Sequence, residues 1–317
     1  LRLTGNIEWG VKAPELEGIK DLTVWVWPES LWAPISFTID LLLKKGKDSA
    51  SWKDWWCDSD SQVFQFIGQD NIYFYGIAQM AMFMATQGKS NLSIYPENGQ
   101  LTLTNLVANH HILFLDKKAS SSSAIKPPMA KDLLEYYTAE QLRAHFLGLA
   151  LNQKSVSFQP KPLNPIANEN EQDPVLKEGN LFTNVLNRLV RSCFYTAQKY
   201  DDGILPYGSI SAEVLTEAKD TIIAYEWAMY KLDLHNINNI LDTYIRQANK
   251  YWVRNITIAE KENNEILRKQ TLIDAFHMVK TACLLAHPIA CIGTEMVREY
   301  LGIDERFFSW DYAFNDL

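Results

Sequence analysis

Three short stretches of this sequence hold residues whose types and spacing suit chemistry. In the first, Gly68 closes a strand-like run and Asp70 follows two positions later. A glycine there lets a ligand approach the backbone, and a carboxylate at that offset can accept hydrogen bonds from both hydroxyls of an adenosine ribose. Taken alone, the same Gly-x-Asp is also an ordinary turn. In the second, Asn187 and Arg191 lie four apart in a helical pattern. That spacing sets an amide and a guanidinium on one helix face, where they can read base edges or simply face water. In the third, Asp116-Lys117-Lys118-Ala119 leads into the serines 120–123, by composition a surface loop that carries two cations. No metal is expected. Cys57, Cys193, Cys283 and Cys291 are too scattered for a CxxC knuckle, and His145, His235, His277 and His287 lack partners at ligand spacing. No Ser/His/Asp set or phosphate-binding P-loop can be assembled either.

The whole chain sets bounds on these readings. Its 317 residues suffice for two domains with separate cores. A hydrophobic share of 47% with 21% charged residues makes disorder the wrong default. The formal charge of -8 argues against a surface coated with phosphate-binding lysines, so any nucleic-acid contact needs a local basic patch. The 10 Trp and 14 Tyr belong mostly in cores, and a minority could stack on a base or an amino-acid side chain. No apolar run reaches the ~20 residues that span a bilayer, and no signal-peptide pattern opens the chain. With few, scattered cysteines, a reducing cytoplasm is the expected setting. Leu1 in place of a methionine suggests a start inside a longer parent.

The elements that must position these residues fall into two regimes. They are divided at 159–174, where Pro160, Pro162, Pro165 and Pro174 stand among Asn, Glu and Gln, a composition that predicts a linker or extended connector. Before it, 22–27 and 110–115 read as buried strands and 71–86 as a helix between them, an alternation that implies an α/β sheet. After it, three apolar stripes at helical spacing predict a bundle: Leu181, Val185, Leu189 and Cys193; Ile237, Leu241, Tyr244, Ala248 and Tyr251; Leu272, Ala275, Phe276, Val279 and Cys283. Residues 129–151 are expected to form a helical bridge. The predicted fold class is α/β followed by all-α.

Four segments, in order, resemble the methionine branch of the class I aminoacyl-tRNA synthetases. Thr4-Gly5-Asn6-Ile7-Glu8-Trp9-Gly10-Val11 with Val24-Trp25-Val26-Trp27-Pro28 is similar to the family's exit from its inserted domain and the strand after it. Phe66-Ile67-Gly68-Gln69-Asp70-Asn71-Ile72-Tyr73-Phe74-Tyr75 is similar to its "F-(I/V)-G-K-D-I-x-Y-F-H". Residues 116–122 stand where the family has its KMSKS loop, and 184–191 resemble "V-N-K-V-V-N-L-A-x-R". The resemblance implies a partial Rossmann-like catalytic domain over 1–150, a linker over 151–174 and a helical anticodon-binding domain over 175–317.

It implies roles as well. Trp25 and Trp32 would line the methionine pocket together with Asn71 and Tyr75, Gly68 and Asp70 would hold adenosine, Lys118 would act catalytically and, with Ser120 and Ser122, bind the phosphates, and Asn187 with Arg191 would read the CAU anticodon of tRNA. The substrates implied are ATP with Mg2+, an amino acid and tRNA. The sequence departs from the family at informative places. Trp27 stands for an Asp, Asn71 for the pocket isoleucine, Tyr75 for a histidine and Ser121 for the second loop lysine. The family's base-stacking tryptophan falls near Ile258. No HIGH loop and no zinc-binding cysteines of the inserted domain occur, so this stretch alone is expected to be inactive and to hold no zinc. Two further readings stay open: a paralogue that has given up catalysis but still binds tRNA or another ligand, and a helical scaffold that binds protein.

Overall fold

The computed structural model describes residues 4–87, 97–118 and 126–316. The chain divides into two compact units, Leu1–His111 with Asn152–Lys154, and Ile112–Leu151 with Ser155–Leu317.

In the first unit, β1 (Thr4–Gly5) pairs antiparallel with β2 (Thr23–Val24). Then come α1 (Val26–Ser30), α2 (Ala33–Lys44), α3 (Trp52–Trp56), β3 (Val63–Gly68), a π-helical segment (Tyr73–Ala78), α4 (Gln79–Thr86) and β4 (Thr104–Asn109). The strand expected over 22–27 is cut to two residues. Pro28 has no N–H to give a ladder, and its fixed φ suits the start of a helix, so the chain turns helical at Val26. Strands β3 and β4 run parallel from Val63↔Thr104 to Gly68↔Asn109, with a helical connection of the kind that parallel pairing requires. The core holds Ile35, Trp56, Cys57, Phe83 and Leu101, with Trp32 and Met80 packed on it. Gln79 is fully buried and donates to the Leu31 carbonyl at 2.8 Å, which ties α4 to the junction between α1 and α2.

The second unit opens with β5 (Ile112–Phe114) and β6 (Lys117–Lys118), α5 (Ala130–Leu133), α6 (Ala139–Gly148) and β7 (Val156–Phe158). It continues through α7 (Pro174–Asn180), a second π-helical segment (Leu181–Leu186), α8 (Asn187–Tyr200), α9 (Ala212–Tyr230), α10 (Leu234–Lys261), α11 (Glu265–Ala286) and α12 (Cys291–Leu301). Strand β5 is central, antiparallel to β6 and parallel to β7. The stretch expected to be a linker therefore includes a strand, and its remaining residues are fastened in place. Asp173 accepts from the Val175 N–H at 3.0 Å, capping α7, and from the Tyr137 hydroxyl at 2.7 Å. Lys161 Nζ donates to the carbonyls of Glu169 and Glu171. Helix α6 packs on α7 and α10, and Leu133, Tyr137, Leu142, Phe158 and Val175 close a small core of their own. For that reason the compact units part at 111/112 rather than after residue 150.

The predicted stripes are largely inside: Leu181, Leu189 and Cys193, then Ile237, Leu241, Tyr244 and Ala248 are buried. Helix α11 departs from the one-sided pattern. From Thr271 to Ala286 every residue except Ile273 is buried, including Asp274, His277, Lys280 and Thr281, so this helix is enclosed by the bundle. Burial of charge demands partners. Asp274 accepts from the Ser211 N–H at 2.8 Å, the Ser211 hydroxyl at 2.7 Å and the Tyr251 hydroxyl at 2.6 Å. Lys280 donates to the carbonyls of Tyr312, Ala313 and Asn315 at 3.1, 2.7 and 2.7 Å.

Candidate functional site

In the first unit the candidate residues gather around the end of β3. Gly68 is the last residue of that strand, and Asp70 lies exposed in the single 3-10 turn Gln69–Asn71 at its end. A Cβ placed on Gly68 would come within 2.8 Å of Asp70 Oδ1, so the glycine leaves room for the carboxylate to fold back beside the strand end. Asn71 is half-buried, with its Nδ2 3.8 Å from the same point. Tyr75 is half-buried in the π-helical segment, a geometry that recurs at functional sites because it re-aims side chains.

An aromatic run stands beside that turn. The rings of Trp27 and Phe74 stack with centroids 4.4 Å apart and planes at 16°; Trp25 meets Trp27 edge-on at 6.4 Å. Tyr73 meets Phe74 edge-on at 6.1 Å. Trp25 is thus linked through Trp27 to the segment that holds Tyr75. Trp32 goes elsewhere, packing against Phe83 at 5.3 Å on the core. Sequence reasoning does not single out Trp27 and Phe74 as site residues. Their stacking joins positions far apart in the chain and leaves no local signal.

Lys118 belongs to the second unit. It lies in β6, opposite Leu113, after a tight turn in which Leu115 (φ 50) and Asp116 (φ 63) are both left-handed. Two such residues make the hairpin turn whose twist matches its strands. Asp116 is held by its N–H on Ser157 Oγ at 3.0 Å and by Gln159 Nε2 on its carboxylate at 3.0 Å. Lys118, expected in a loop, stands in a short strand instead. Ser120 and Ser122 lie outside the described residues, as does Ser121.

Asn187 and Arg191 are brought together on α8. Both are exposed and both line an open cleft of about 1030 Å³ between α8 and α12. Asn187 Nδ2 donates to the Thr183 carbonyl at 3.3 Å, inside the π-helical segment that leads into α8. The Arg191 guanidinium has no ion-pair partner among the described residues. Glu140, a carboxylate on the cleft wall, is engaged by the Ile292 and Gly293 N–H groups at 2.6 and 3.2 Å. Trp252 is buried and donates to Ser192 Oγ at 2.9 Å, fixing α8 on α10 from behind. An amide and a cation thus face an open, partly apolar groove, an arrangement suited to a nucleobase with its phosphate.

Among the described residues no three His, Cys, Asp or Glu side chains could hold a metal ion, and no helix is long and apolar enough to cross a membrane. His145 bonds Glu178 at 2.9 Å through Nδ1, and His287 stacks on Phe308 with centroids 3.7 Å apart, so both serve packing. Cys57, Cys193 and Cys283 are buried thiols.

The family model described as tRNA synthetases class I (M) matches residues 1–188, more than half of the chain. A methionine–tRNA ligase from Thermobifida fusca (strain YX) is 25% identical over 312 residues, covering 95% of this chain and 48% of the relative. One from Saccharolobus solfataricus is 26% identical over 319 residues, covering 98% and 52%. The chain thus spans about half the length of these relatives. The crystal structure of Mycobacterium tuberculosis methionyl-tRNA synthetase bound by methionyl-adenylate superposes with a TM-score of 0.76 at 18% identity, over 100% of this chain and 57% of that one. The strand-end turn, the paired side chains on α8 and the run of matched residues lead to one conclusion: this chain belongs to the tRNA synthetases of class I, M type.

Proposed function

We propose that this chain is the nucleotide-closing and tRNA-reading part of a methionine–tRNA ligase. In the reaction of such an enzyme the amino-acid carboxylate attacks the α-phosphorus of ATP, held with Mg2+. Pyrophosphate leaves, and the aminoacyl-adenylate passes its acyl group to tRNA. In this reading Asp70 accepts the ribose hydroxyls, with Gly68 giving the clearance. Lys118, with Ser120 and Ser122, meets the phosphates, where a cation opposes the charge that develops in the transition state. Trp25, Trp32, Asn71 and Tyr75 border the amino acid, and Asn187 with Arg191 reads the anticodon. Residues 1–150 serve activation, 151–174 connect, and 175–317 recognise tRNA; the setting is cytoplasmic.

The observation that carries the reading is the pair on α8: Asn187 and Arg191 are exposed one helical turn apart on the wall of an open cleft. Binding to tRNA with a CAU anticodon tests it. The affinity is expected to fall steeply with salt and to drop by about tenfold in Arg191→Ala. Binding that ignores both salt and the substitution contradicts the reading. A second reading, a paralogue that binds tRNA without activating an amino acid, draws on Ser121 in place of the second loop cation. That loss costs about 3 kcal/mol of transition-state stabilisation where nothing replaces it. The two readings part on pyrophosphate exchange, which only the first predicts.

A further inference from the structure

Asn187, Arg191 and Tyr195 succeed one another every four residues on α8, so an amide, a guanidinium and a phenol ring form one exposed ridge along the cleft. Tyr195 is 69% exposed, and Tyr300, which lines the same cleft from α12, is 72% exposed. Tyr300 is not adrift. Phe194 holds it edge-on at 6.2 Å, and Phe194 is itself edge-on to the buried Phe276 at 5.2 Å. Two large rings are therefore kept in water, on a rigid support, beside cations.

The charge around them is one-sided. Neither Arg188 nor Arg191 has a carboxylate partner among the described residues. Arg188 also lines an adjoining groove of about 560 Å³ together with Arg246 and Lys250, and among these three only Arg246 is neutralised by a described residue, Asp242 at 2.8 Å. In a chain of formal charge -8 this concentration of cations is local. Exposed rings next to guanidiniums complement a polyanion that also offers unpaired π faces, which describes single-stranded RNA and does not describe a duplex, whose bases are already stacked.

We infer that the cleft takes a single-stranded RNA loop, with Tyr195 and Tyr300 stacking on its unpaired bases and Arg188, Arg246 and Lys250 tracking its phosphates. This rests on the proposed reading of the anticodon by Asn187 and Arg191, and adds to it the stacking surface and the course of the backbone.

The test uses the whole chain and a short RNA stem–loop with CAU in its loop, the central base replaced by fluorescent 2-aminopurine. Stacking on a tyrosine is expected to change the emission of that base on binding. Tyr195→Leu and Tyr300→Leu are each expected to weaken binding by about tenfold, while Tyr195→Phe and Tyr300→Phe bind as the parent does. Arg188→Ala is expected to lower the salt slope by about one. The inference is overturned, and the anticodon reading stands, when the Leu variants bind as tightly as the parent or the emission is unchanged while Arg191→Ala still weakens binding. Both fall when the stem–loop is not bound at all or Arg191→Ala is without effect. Because the emission is read on the unaltered chain, the outcome does not depend on a variant folding.

Discussion

Gly68 and His277 show how single positions divide between function and stability. At Gly68 the backbone is extended (φ -71, ψ 147), so alanine meets no conformational penalty, but its Cβ would displace the Asp70 carboxylate. Gly68→Ala is therefore expected to change stability by less than about 0.5 kcal/mol and to weaken adenine-nucleotide binding by about tenfold. A thermal melt beside equilibrium dialysis with ATP reads both; unaltered nucleotide affinity would contradict the role given to Asp70. His277 is a matter of folding. Burial, with the nearby Lys280 ammonium, pushes its imidazole down to about 4, whereas an unfolded chain holds it near 6.5. Between those values the unfolded state binds more protons, so the contribution is full above about pH 6.5 and is lost as pH falls toward 4, by at most about 3 kcal/mol. Urea denaturation at pH 7 and 4.5 is expected to show a smaller loss in His277→Gln than in the parent. Equal losses would mean that His277 is neutral for another reason.

At the scale of elements, the helices were legible where a pattern is local and hidden where it is not. The four-residue stripes of α8 and α10 place Leu189, Cys193, Leu241 and Ala248 inside, as their spacing says. Helix α11 misleads because Asp274, His277 and Lys280 look like a wet face. Their partners, Ser211, Tyr251 and the carbonyls near residue 313, come from distant segments that no periodicity announces. The same holds for the hairpin that carries Lys118, since a leucine at φ 50 gives no sign in the sequence. In the candidate site, Asp70 with Gly68 and Asn187 with Arg191 were legible, being neighbours by spacing; the Trp27–Phe74 stack was not. Asp274 joins the start of α9 to α10 and α11, so Asp274→Ala strands buried donors on two elements. It is expected to cost about 3 kcal/mol or more, against about 1 kcal/mol for Tyr251→Phe, which leaves the carboxylate its other bonds. Urea midpoints of the two variants decide the order; a Tyr251→Phe effect as large as that of Asp274→Ala would place the bond energy elsewhere.

At the scale of the molecule, a net charge of -8 and a nucleic-acid partner are compatible because the cations are gathered locally, at Arg188, Arg191, Arg246 and Lys250, and not spread over the surface. The relationship to methionine–tRNA ligases runs through both compact units, while the chain spans about half of each relative. The central claim, that these units serve amino-acid activation and tRNA recognition, is tested most directly by ATP–pyrophosphate exchange. It is measured on the full protein that carries this chain, across a series of amino acids, with and without Asp70→Ala. Exchange is expected to depend on methionine and to fall by about a hundredfold in the variant. Exchange with no amino acid, or exchange that Asp70→Ala leaves untouched, would contradict the claim.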